Sequence, residues 1–341
     1  MKELNIDKIY DNKRFLQTIT IELTNMCNWR CKHCYLDDSN IELMSLDKIY
    51  EIIDEAREIG VYNLRLSGGE ISTYPQLSKI ITYARKRYMN VSLLSNMSVL
   101  DDEVLSSIEK YGLDSVEATV FSTDEEIHDK FVGTPGALNK TLTNLKKIKQ
   151  QGIDILVKTW AVKSNINELE KMRDYYLSLG YYFSVGVQIY SDVNGKMKLP
   201  KEEQLSEQEY CYALKLEDSS RILPIKWKQT SRLCEDFSTC LYITYEGEVI
   251  PCAKYRKPYA NIYKDSIKDI WAKSSELHCL QNYCWNDVTE CNECGVKEYC
   301  KRCGAMSYIK GGDFLHNCKE TCLLAKIRAS NYKTVPEGGL Y

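Results

Sequence analysis

The chain has 341 residues, of which 44% are hydrophobic and 27% are charged, and its formal net charge is −3. This is the composition of a globular protein large enough for two domains, and it excludes a strongly basic nucleic-acid-binding protein. The sequence contains no apolar run of about 20 residues and no apolar segment near its N-terminus. We therefore expect a cytoplasmic protein whose partners include neither nucleic acid nor a membrane.

Strand and helix patterns alternate through the first 200 residues. The predicted strands are Thr18–Leu23, Tyr62–Leu66, Val91–Ser95, Ser115–Phe121, Asp154–Val162 and Tyr182–Ile189. The predicted helices are Asp47–Ile59, Gln76–Arg87, Asp101–Tyr111, Ala137–Gln151 and Ile166–Leu179. This alternation indicates a parallel sheet with right-handed crossovers, and periodicity alone fits either an open sheet or a partial barrel. No glycine-rich dinucleotide-binding motif follows the first strand, which disfavours a nicotinamide enzyme.

The sequence changes character after this α/β region. We predict a core domain over residues 1–195, a polar connection over 196–230, a cysteine-rich α+β domain over 231–325 and a tail over 326–341, of which Pro336–Tyr341 is loose. Within the cysteine-rich domain, Tyr242–Tyr245 and Glu248–Ile250 around Gly247 are typical of a β-hairpin.

Fifteen cysteines are present, and twelve of them lie after residue 200. Without an export signal, clustered cysteines indicate metal ligands or catalytic thiols rather than disulfides. Cys27, Cys31 and Cys34 follow the first predicted strand, at the sheet edge where active sites of parallel α/β proteins collect. Three thiolates can hold a [4Fe–4S] cluster with one iron left open. The alternative is a zinc site, for which His33 is a further nearby ligand type.

A second group of cysteines is large enough for two further sites of four ligands each, which could hold zinc or iron–sulfur clusters. Its members are Cys234, Cys240, Cys252, Cys291, Cys294, Cys300, Cys303, Cys318 and Cys322. Three other cysteines remain, Cys211, Cys279 and Cys284, and we predict that they are small buried side chains. The alternative is that one of them donates a hydrogen atom or binds a cluster.

The Cys27–Cys34 run with Tyr35, followed by Ser67–Glu70, resembles the motifs of radical S-adenosylmethionine (SAM) enzymes. The resemblance covers about residues 16–190 and implies a partial (β/α)6 TIM barrel. It implies that Cys27, Cys31 and Cys34 bind a site-differentiated [4Fe–4S] cluster whose open iron binds SAM. The implied SAM contacts are Gly68, Gly69, Glu70, Ser95, Asn96, Thr119, Ser122 and His33. His128 lies in a segment that resembles relatives of this family, but a loop that caps a helix explains it equally well.

The second group of cysteines resembles the SPASM extension of these enzymes, which carries two auxiliary [4Fe–4S] clusters. Ile267–Trp271 stands where that extension has a short helix. The resemblance implies a nearer cluster on Cys234, Cys240, Cys252 and Cys303, and an outer cluster on Cys291, Cys294, Cys300 and Cys318. The Cys300–Cys303 spacing is one residue shorter than the family's, and Cys322 could replace Cys318.

These resemblances imply an enzyme that reductively cleaves SAM to a 5′-deoxyadenosyl radical, which abstracts a hydrogen atom from a substrate. The implied substrate is a ribosomally made peptide that undergoes crosslinking, epimerisation or oxidation. Alternatives are a non-peptide metabolite or tetrapyrrole, sulfatase maturation, which Ala253 disfavours because those relatives have aspartate there, and a zinc-binding interaction module without catalysis. Only 17 residues precede the first predicted strand, so leader recognition is expected to need either a separate leader-binding protein or a different surface of this chain. A flavodoxin- or ferredoxin-type electron donor is a further expected partner.

Overall fold

The computed structural model describes residues 15–36, 40–189, 199–216, 224–225, 228–234 and 236–334. Within these ranges, nine strands form a single sheet. They are β1 (Thr18–Glu22), β2 (Asn63–Ser67), β3 (Asn90–Ser95), β4 (Ser115–Thr119), β5 (Asp154–Trp160), β6 (Tyr182–Gly186), β7 (Cys240–Ile243), β8 (Glu248–Ile250) and β9 (Ala260–Asn261).

Twelve α-helices occur in the same described ranges. The first six are α1 (Leu46–Glu58), α2 (Leu77–Lys86), α3 (Asp102–Tyr111), α4 (Glu125–Val132), α5 (Ala137–Gln150) and α6 (Leu169–Ser178). The others are α7 (Glu207–Lys215), α8 (Asp236–Thr239), α9 (Ile267–Lys273), α10 (Ser275–Asn282), α11 (Gly304–Gly311) and α12 (Lys319–Thr334).

The strand order is β6-β5-β4-β3-β2-β1-β7-β8-β9, so the sheet is open rather than closed. Strands β1 to β6 are parallel, and helices connect them. The predicted α/β fold with a partial barrel is therefore confirmed. All six strands end at one edge, which is where parallel α/β proteins place their functional loops.

The cysteine-rich part of the chain joins this sheet directly. Strand β7 pairs in parallel with β1, with Cys240 opposite Thr18, and β8 and β9 then continue antiparallel. The predicted hairpin around Gly247 and the predicted short helix, which is α9, are confirmed. Because β7 covers its far side, β1 is a central strand and all five of its residues are buried.

Helices α4 and α7 lie in segments for which a loop and a connection were predicted. Helix α4 contains His128, and the loop interpretation of that segment is wrong: Asp124 caps its first turn and Gly133 ends it with a φ of 68°. Helix α7 lies inside the predicted connection, and α12 continues across the predicted boundary after residue 325. The predicted tail beyond Pro336 is outside the described residues.

In the described part of the chain, no helix is both long and apolar enough to cross a bilayer.

Candidate active site and cysteine clusters

The three cysteines after β1 lie in a loop that is fastened to α4. The amide N–H of Arg30 donates to the carbonyl oxygen of Val132 at 2.8 Å. Trp29 is 3% exposed and packs in one apolar cluster with Phe131 and Val132. These contacts fix the path of the Cys27–Cys34 loop at the carboxyl edge of the sheet.

The thiols of this loop influence one another's ionisation. Burial, together with the charge of Cys34, raises the pKa of Cys27 to about 11. Burial and the charges of Cys34 and Cys27 also raise the pKa of Cys31. A bound positive group offsets the repulsion between neighbouring thiolates and so favours the deprotonated form of its thiol ligands. Across the described ranges, no three cysteine, histidine or carboxylate side chains have the spacing of ligands to one metal ion. In an iron–sulfur cluster each cysteine binds its own iron, and this set of three thiols fits such a group.

The Gly68–Glu70 segment lies directly against the backbone that leads into the cysteine loop. The amide N–H groups of Gly69 and Glu70 donate to the carbonyl oxygens of Thr24 and Met26, both at 2.8 Å. A Cβ atom at Gly69 would lie 2.3 Å from the Met26 carbonyl oxygen, and Gly68 has a φ of 140°. Only glycine permits this approach, so the two glycines set the distance between β2 and the cysteine loop.

Glu70 joins three elements at the sheet edge. Its carboxylate is fully buried and accepts hydrogen bonds from the Ser95 hydroxyl at 2.6 Å and the Asn96 amide at 2.5 Å. Burial raises the pKa of Glu70. The Asn96 side chain donates to Asn28 inside the cysteine loop at 2.9 Å. The predicted SAM contacts Glu70, Ser95 and Asn96 therefore form one network that ties β2 and β3 to the cysteine loop.

The two hydroxyl residues predicted near SAM differ in their surroundings. Thr119 is half-buried at the last position of β4. Ser122 is fully buried, donates to the Glu168 carboxylate and accepts from the Asp124 amide at 2.8 Å. The Ser122 hydroxyl is thus hydrogen-bonded inside the protein, whereas Thr119 lies at the edge of the sheet.

Two histidines lie beside the cysteine loop. The ring of His33 is 5.0 Å from that of Phe121, and its Nδ1 is buried with no hydrogen-bond partner among the described residues. His128, to which the sequence analysis gave no role, accepts from the Phe121 amide at 3.1 Å and has an Nε2 that is likewise buried and unpartnered there. Burial lowers the pKa of each to about 4. Each neutral ring therefore keeps a nitrogen that a bound molecule could satisfy.

A cavity of about 450 Å³ opens where the ends of β5 and β6 meet the cysteine-rich part of the chain. Cys234, Cys252 and Cys303 line it, together with Trp160 and Gln188. The structure therefore brings three of the four cysteines predicted for the nearer auxiliary cluster to a cavity that the barrel strands also reach.

The thiols at this cavity also raise one another's pKa values. Burial, Asp236 and Cys252 raise the pKa of Cys234 to about 12. Burial and the charge of Cys303 raise the pKa of Cys252 to about 11. Cys240, the fourth predicted member, begins β7 and is not among the described residues that line the cavity.

The remaining cysteines form an outer set. Burial and the charges of Cys291 and Cys322 raise the pKa of Cys300 to about 12. Burial and the charges of Cys294 and Cys318 raise the pKa of Cys322. Cys318 is buried and its thiol donates to the Glu320 carboxylate at 3.2 Å. Cys322 thus lies among the thiols of Cys291, Cys294, Cys300 and Cys318.

A buried ion pair that sequence reasoning missed joins the first cysteine loop to the cysteine-rich part of the chain. The Glu22 carboxylate is 0% exposed and accepts two hydrogen bonds from Arg256, both at 2.8 Å. It also accepts from the Tyr242 hydroxyl at 2.9 Å and the Tyr35 hydroxyl at 3.3 Å. Tyr35 follows Cys34, so this network links the ends of β1, the loop and β7.

The three unassigned cysteines have separate surroundings. Cys211 is partly buried against the main core. The backbone of Cys284 forms an isolated antiparallel β-bridge with that of Arg232. Cys279 is exposed on α10, and its thiol donates to the Tyr283 hydroxyl at 3.4 Å. The prediction that these cysteines are buried is therefore wrong for Cys279, and Cys211 and Cys284 are only half-buried.

Two known protein families match this chain. The radical SAM superfamily matches residues 21–176, and the SPASM iron–sulfur cluster-binding domain matches residues 234–304. The chain carries a radical SAM domain followed by a SPASM domain. A radical SAM domain binds SAM and a [4Fe–4S] cluster, and a SPASM domain binds auxiliary iron–sulfur clusters. The zinc-module alternative is therefore not favoured for this radical SAM protein.

Curated relatives match most of the chain. The Bacillus subtilis (strain 168) antilisterial bacteriocin subtilosin biosynthesis protein AlbA is 27% identical over 90% of this chain and 70% of its own length. The AdoMet-dependent heme synthase of Methanosarcina barkeri (strain Fusaro / DSM 804) is 24% identical over 87% of this chain and 93% of its own. The PqqA peptide cyclase of Granulibacter bethesdensis (strain ATCC BAA-1260 / CGDNIH1) is 24% identical over 81% and 79%.

Solved structures share the fold. Streptococcus suis SuiB bound to S-adenosylmethionine has a TM-score of 0.70 at 14% identity, over 91% of this chain and 77% of that one. Native anSMEcpe with bound AdoMet has a TM-score of 0.72 at 15% identity, over 93% and 97%. These likenesses agree with the open α/β sheet and its cysteine-rich extension.

Proposed function

We propose that this radical SAM protein is an enzyme that modifies a ribosomally made peptide by crosslinking, epimerisation or oxidation. The observation that carries the proposal is the cavity at the ends of β5 and β6, because it adjoins Cys234, Cys252 and Cys303. A substrate held there would contact the barrel and the nearer auxiliary site together. The names of the relatives support a peptide: one is a bacteriocin biosynthesis protein and another a peptide cyclase.

We propose the following division of the cysteines. Cys27, Cys31 and Cys34 hold the site cluster, and when bound, SAM and that cluster supply a 5′-deoxyadenosyl radical that removes a substrate hydrogen atom. The nearer auxiliary cluster takes Cys234, Cys240, Cys252 and Cys303. The outer cluster takes Cys291, Cys294, Cys300 and Cys322, because the charges of Cys291 and Cys294 act together with that of Cys322 on the thiols of this set.

The residues around SAM are proposed to act in two ways. Glu70, Ser95 and Asn96 hold the cysteine loop and the glycine segment at a fixed separation, which orients the bound molecule. Gly68, Gly69, Thr119 and Ser122 are the proposed neighbours of SAM along the sheet edge. His33 presents its buried Nδ1 at the loop, and its lowered pKa keeps the ring neutral above about pH 4.

The proposed partners and location follow from the same chemistry. We propose a flavodoxin- or ferredoxin-type electron donor, because the site cluster must be reduced, and a separate leader-binding protein for the peptide. None of the fifteen cysteines forms a disulfide, which fits the proposed location in a reducing cytoplasm.

Iron content and SAM cleavage test the cofactor assignment. Anaerobically reconstituted protein is expected to hold about 12 iron atoms per chain and to form 5′-deoxyadenosine on reduction. A Cys27/Cys31/Cys34→Ala variant should keep about 8 iron atoms and form none. Cys322→Ser should lose the outer cluster and Cys318→Ser should keep it, with the exposed Cys279→Ser as the control. Zinc without 5′-deoxyadenosine would refute the assignment.

The peptide assignment needs its own assay. Short peptides encoded beside the gene are incubated with the reduced enzyme and SAM, and their masses are compared with those in reactions that lack SAM. We expect a SAM-dependent change of peptide mass. Because one relative is a heme synthase, a tetrapyrrole is tested in parallel, and turnover of the tetrapyrrole without any peptide change would overturn the proposal.

A further inference from the structure

Arg302 stands between the two auxiliary sets of cysteines. In sequence it separates Cys300, proposed for the outer cluster, from Cys303, proposed for the nearer one. In space it lines the cavity beside Cys303. Its Nη2 donates to the carbonyl oxygens of Phe314 and His316, at 2.7 and 3.0 Å. Two backbone acceptors therefore fix the plane of the guanidinium group.

The Nε nitrogen of this side chain is buried without an acceptor. Nε of Arg302 is buried and has no hydrogen-bond partner among the described residues. A buried donor on a charged group that lacks an acceptor is energetically costly, so native proteins rarely leave one. Because the two carbonyl contacts hold the group in place, the missing acceptor must come to Nε.

A thiol of the outer set lies beside the backbone segment that binds Arg302. The Cys291 thiol donates to the Asn317 side chain at 3.1 Å, and Asn317 follows the residue whose carbonyl binds Arg302. Neighbouring residues of one segment, His316 and Asn317, therefore bind Arg302 and Cys291 of the outer set.

We propose that Arg302 is a positioning residue that donates its Nε–H to a sulfur of the outer auxiliary cluster and raises that cluster's reduction potential. This inference rests on the cluster assignment above. Hydrogen bonds to sulfur and nearby charge are two of the factors that set iron–sulfur potentials. A fixed cation stabilises the reduced cluster, which carries one more negative charge. The outer cluster therefore accepts an electron more readily than it would without Arg302.

The test compares Arg302→Met and Arg302→Lys with Lys301→Met. The methionine variant loses the charge and the donor, the lysine variant keeps the charge, and Lys301→Met removes a neighbouring charge at the same cavity. Iron per chain is measured first. The midpoint potential of each cluster is then measured by anaerobic redox titration with electron paramagnetic resonance, without substrate.

In Arg302→Met we expect one auxiliary cluster to become at least tenfold harder to reduce, a shift of about 59 mV for one electron. Arg302→Lys should shift less, and Lys301→Met should leave that potential unchanged. An equal shift in Lys301→Met, or none in Arg302→Met, would overturn the inference. Loss of about four iron atoms from both Arg302 variants would also overturn it, because Arg302 would then serve assembly alone. Absence of iron–sulfur clusters from the unmutated protein would instead refute the cluster assignment.

Discussion

Arg256→Met tests how strongly the fold depends on the buried ion pair between β1 and the cysteine-rich part of the chain. Glu22 is 0% exposed, and Arg256 binds both of its carboxylate oxygens at 2.8 Å. Removal of one partner from a buried pair leaves an uncompensated charge, which costs about 3–5 kcal/mol. Methionine keeps much of the arginine's length, so we expect the loss to come from the charge rather than from a cavity.

Two further variants isolate this cause. Adding Glu22→Gln to Arg256→Met removes the stranded charge but keeps an oxygen for the Tyr242 hydroxyl. The double variant should therefore recover a large part of the lost stability. Asp269→Asn breaks the exposed pair of Asp269 and Lys273, whose atoms are 2.8 Å apart, and should change the free energy of unfolding by no more than about 1 kcal/mol.

The assay is anaerobic urea unfolding of the reconstituted protein, followed by tryptophan fluorescence. The midpoint and the slope together give the change in the free energy of unfolding. The reasoning is refuted if Arg256→Met costs no more than Asp269→Asn. It is also refuted if the double variant is as unstable as Arg256→Met, because the stranded carboxylate would then not be the cause.

Two other predictions concern the edge of the sheet. Gly69→Ala would place a Cβ atom 2.3 Å from the Met26 carbonyl oxygen, so we expect loss of about four iron atoms and of 5′-deoxyadenosine formation. Gly295→Ala, which meets no atom within 4 Å, should retain both, and equal iron in the two variants would contradict the packing argument. Burial lowers the pKa of His128 to about 4, whereas an unfolded histidine titrates near 6.5. Its stabilising contribution is therefore complete above about pH 6.5 and is lost as the pH falls towards 4, by about 3 kcal/mol. His128→Gln should flatten this part of the stability–pH curve, and an unchanged slope between pH 6.5 and 4.5 would argue against a neutral buried ring.

Local patterns in the sequence were enough for the α/β core, because each crossover helix has one apolar face and each strand precedes a recognisable turn. Helix α4 was missed since it has only eight residues, although Asp124 before it and Gly133 after it are ordinary start and stop signals. Its omission hid the surface against which the cysteine loop packs.

Contacts between distant parts of the chain could not be predicted in this way. The parallel pairing of β7 with β1 and the Glu22–Arg256 pair join residues more than 200 positions apart, and periodicity carries no information about them. The spacing of the cysteines grouped most of the thiols but did not separate Cys318 from Cys322. Cys318 and Cys322 are four residues apart, and the sequence does not show which of their thiols points towards Cys291, Cys294 and Cys300.

The place of β7 beside β1 makes the SPASM hairpin part of the barrel's own hydrogen-bonded ladder. A protein cut after residue 195 would lose β7 and expose the backbone edge of β1, a buried strand with apolar neighbours. Such an edge is a template for pairing between chains. The cysteine-rich extension therefore also covers an edge that would otherwise favour aggregation. The barrel has to be expressed and engineered together with its extension.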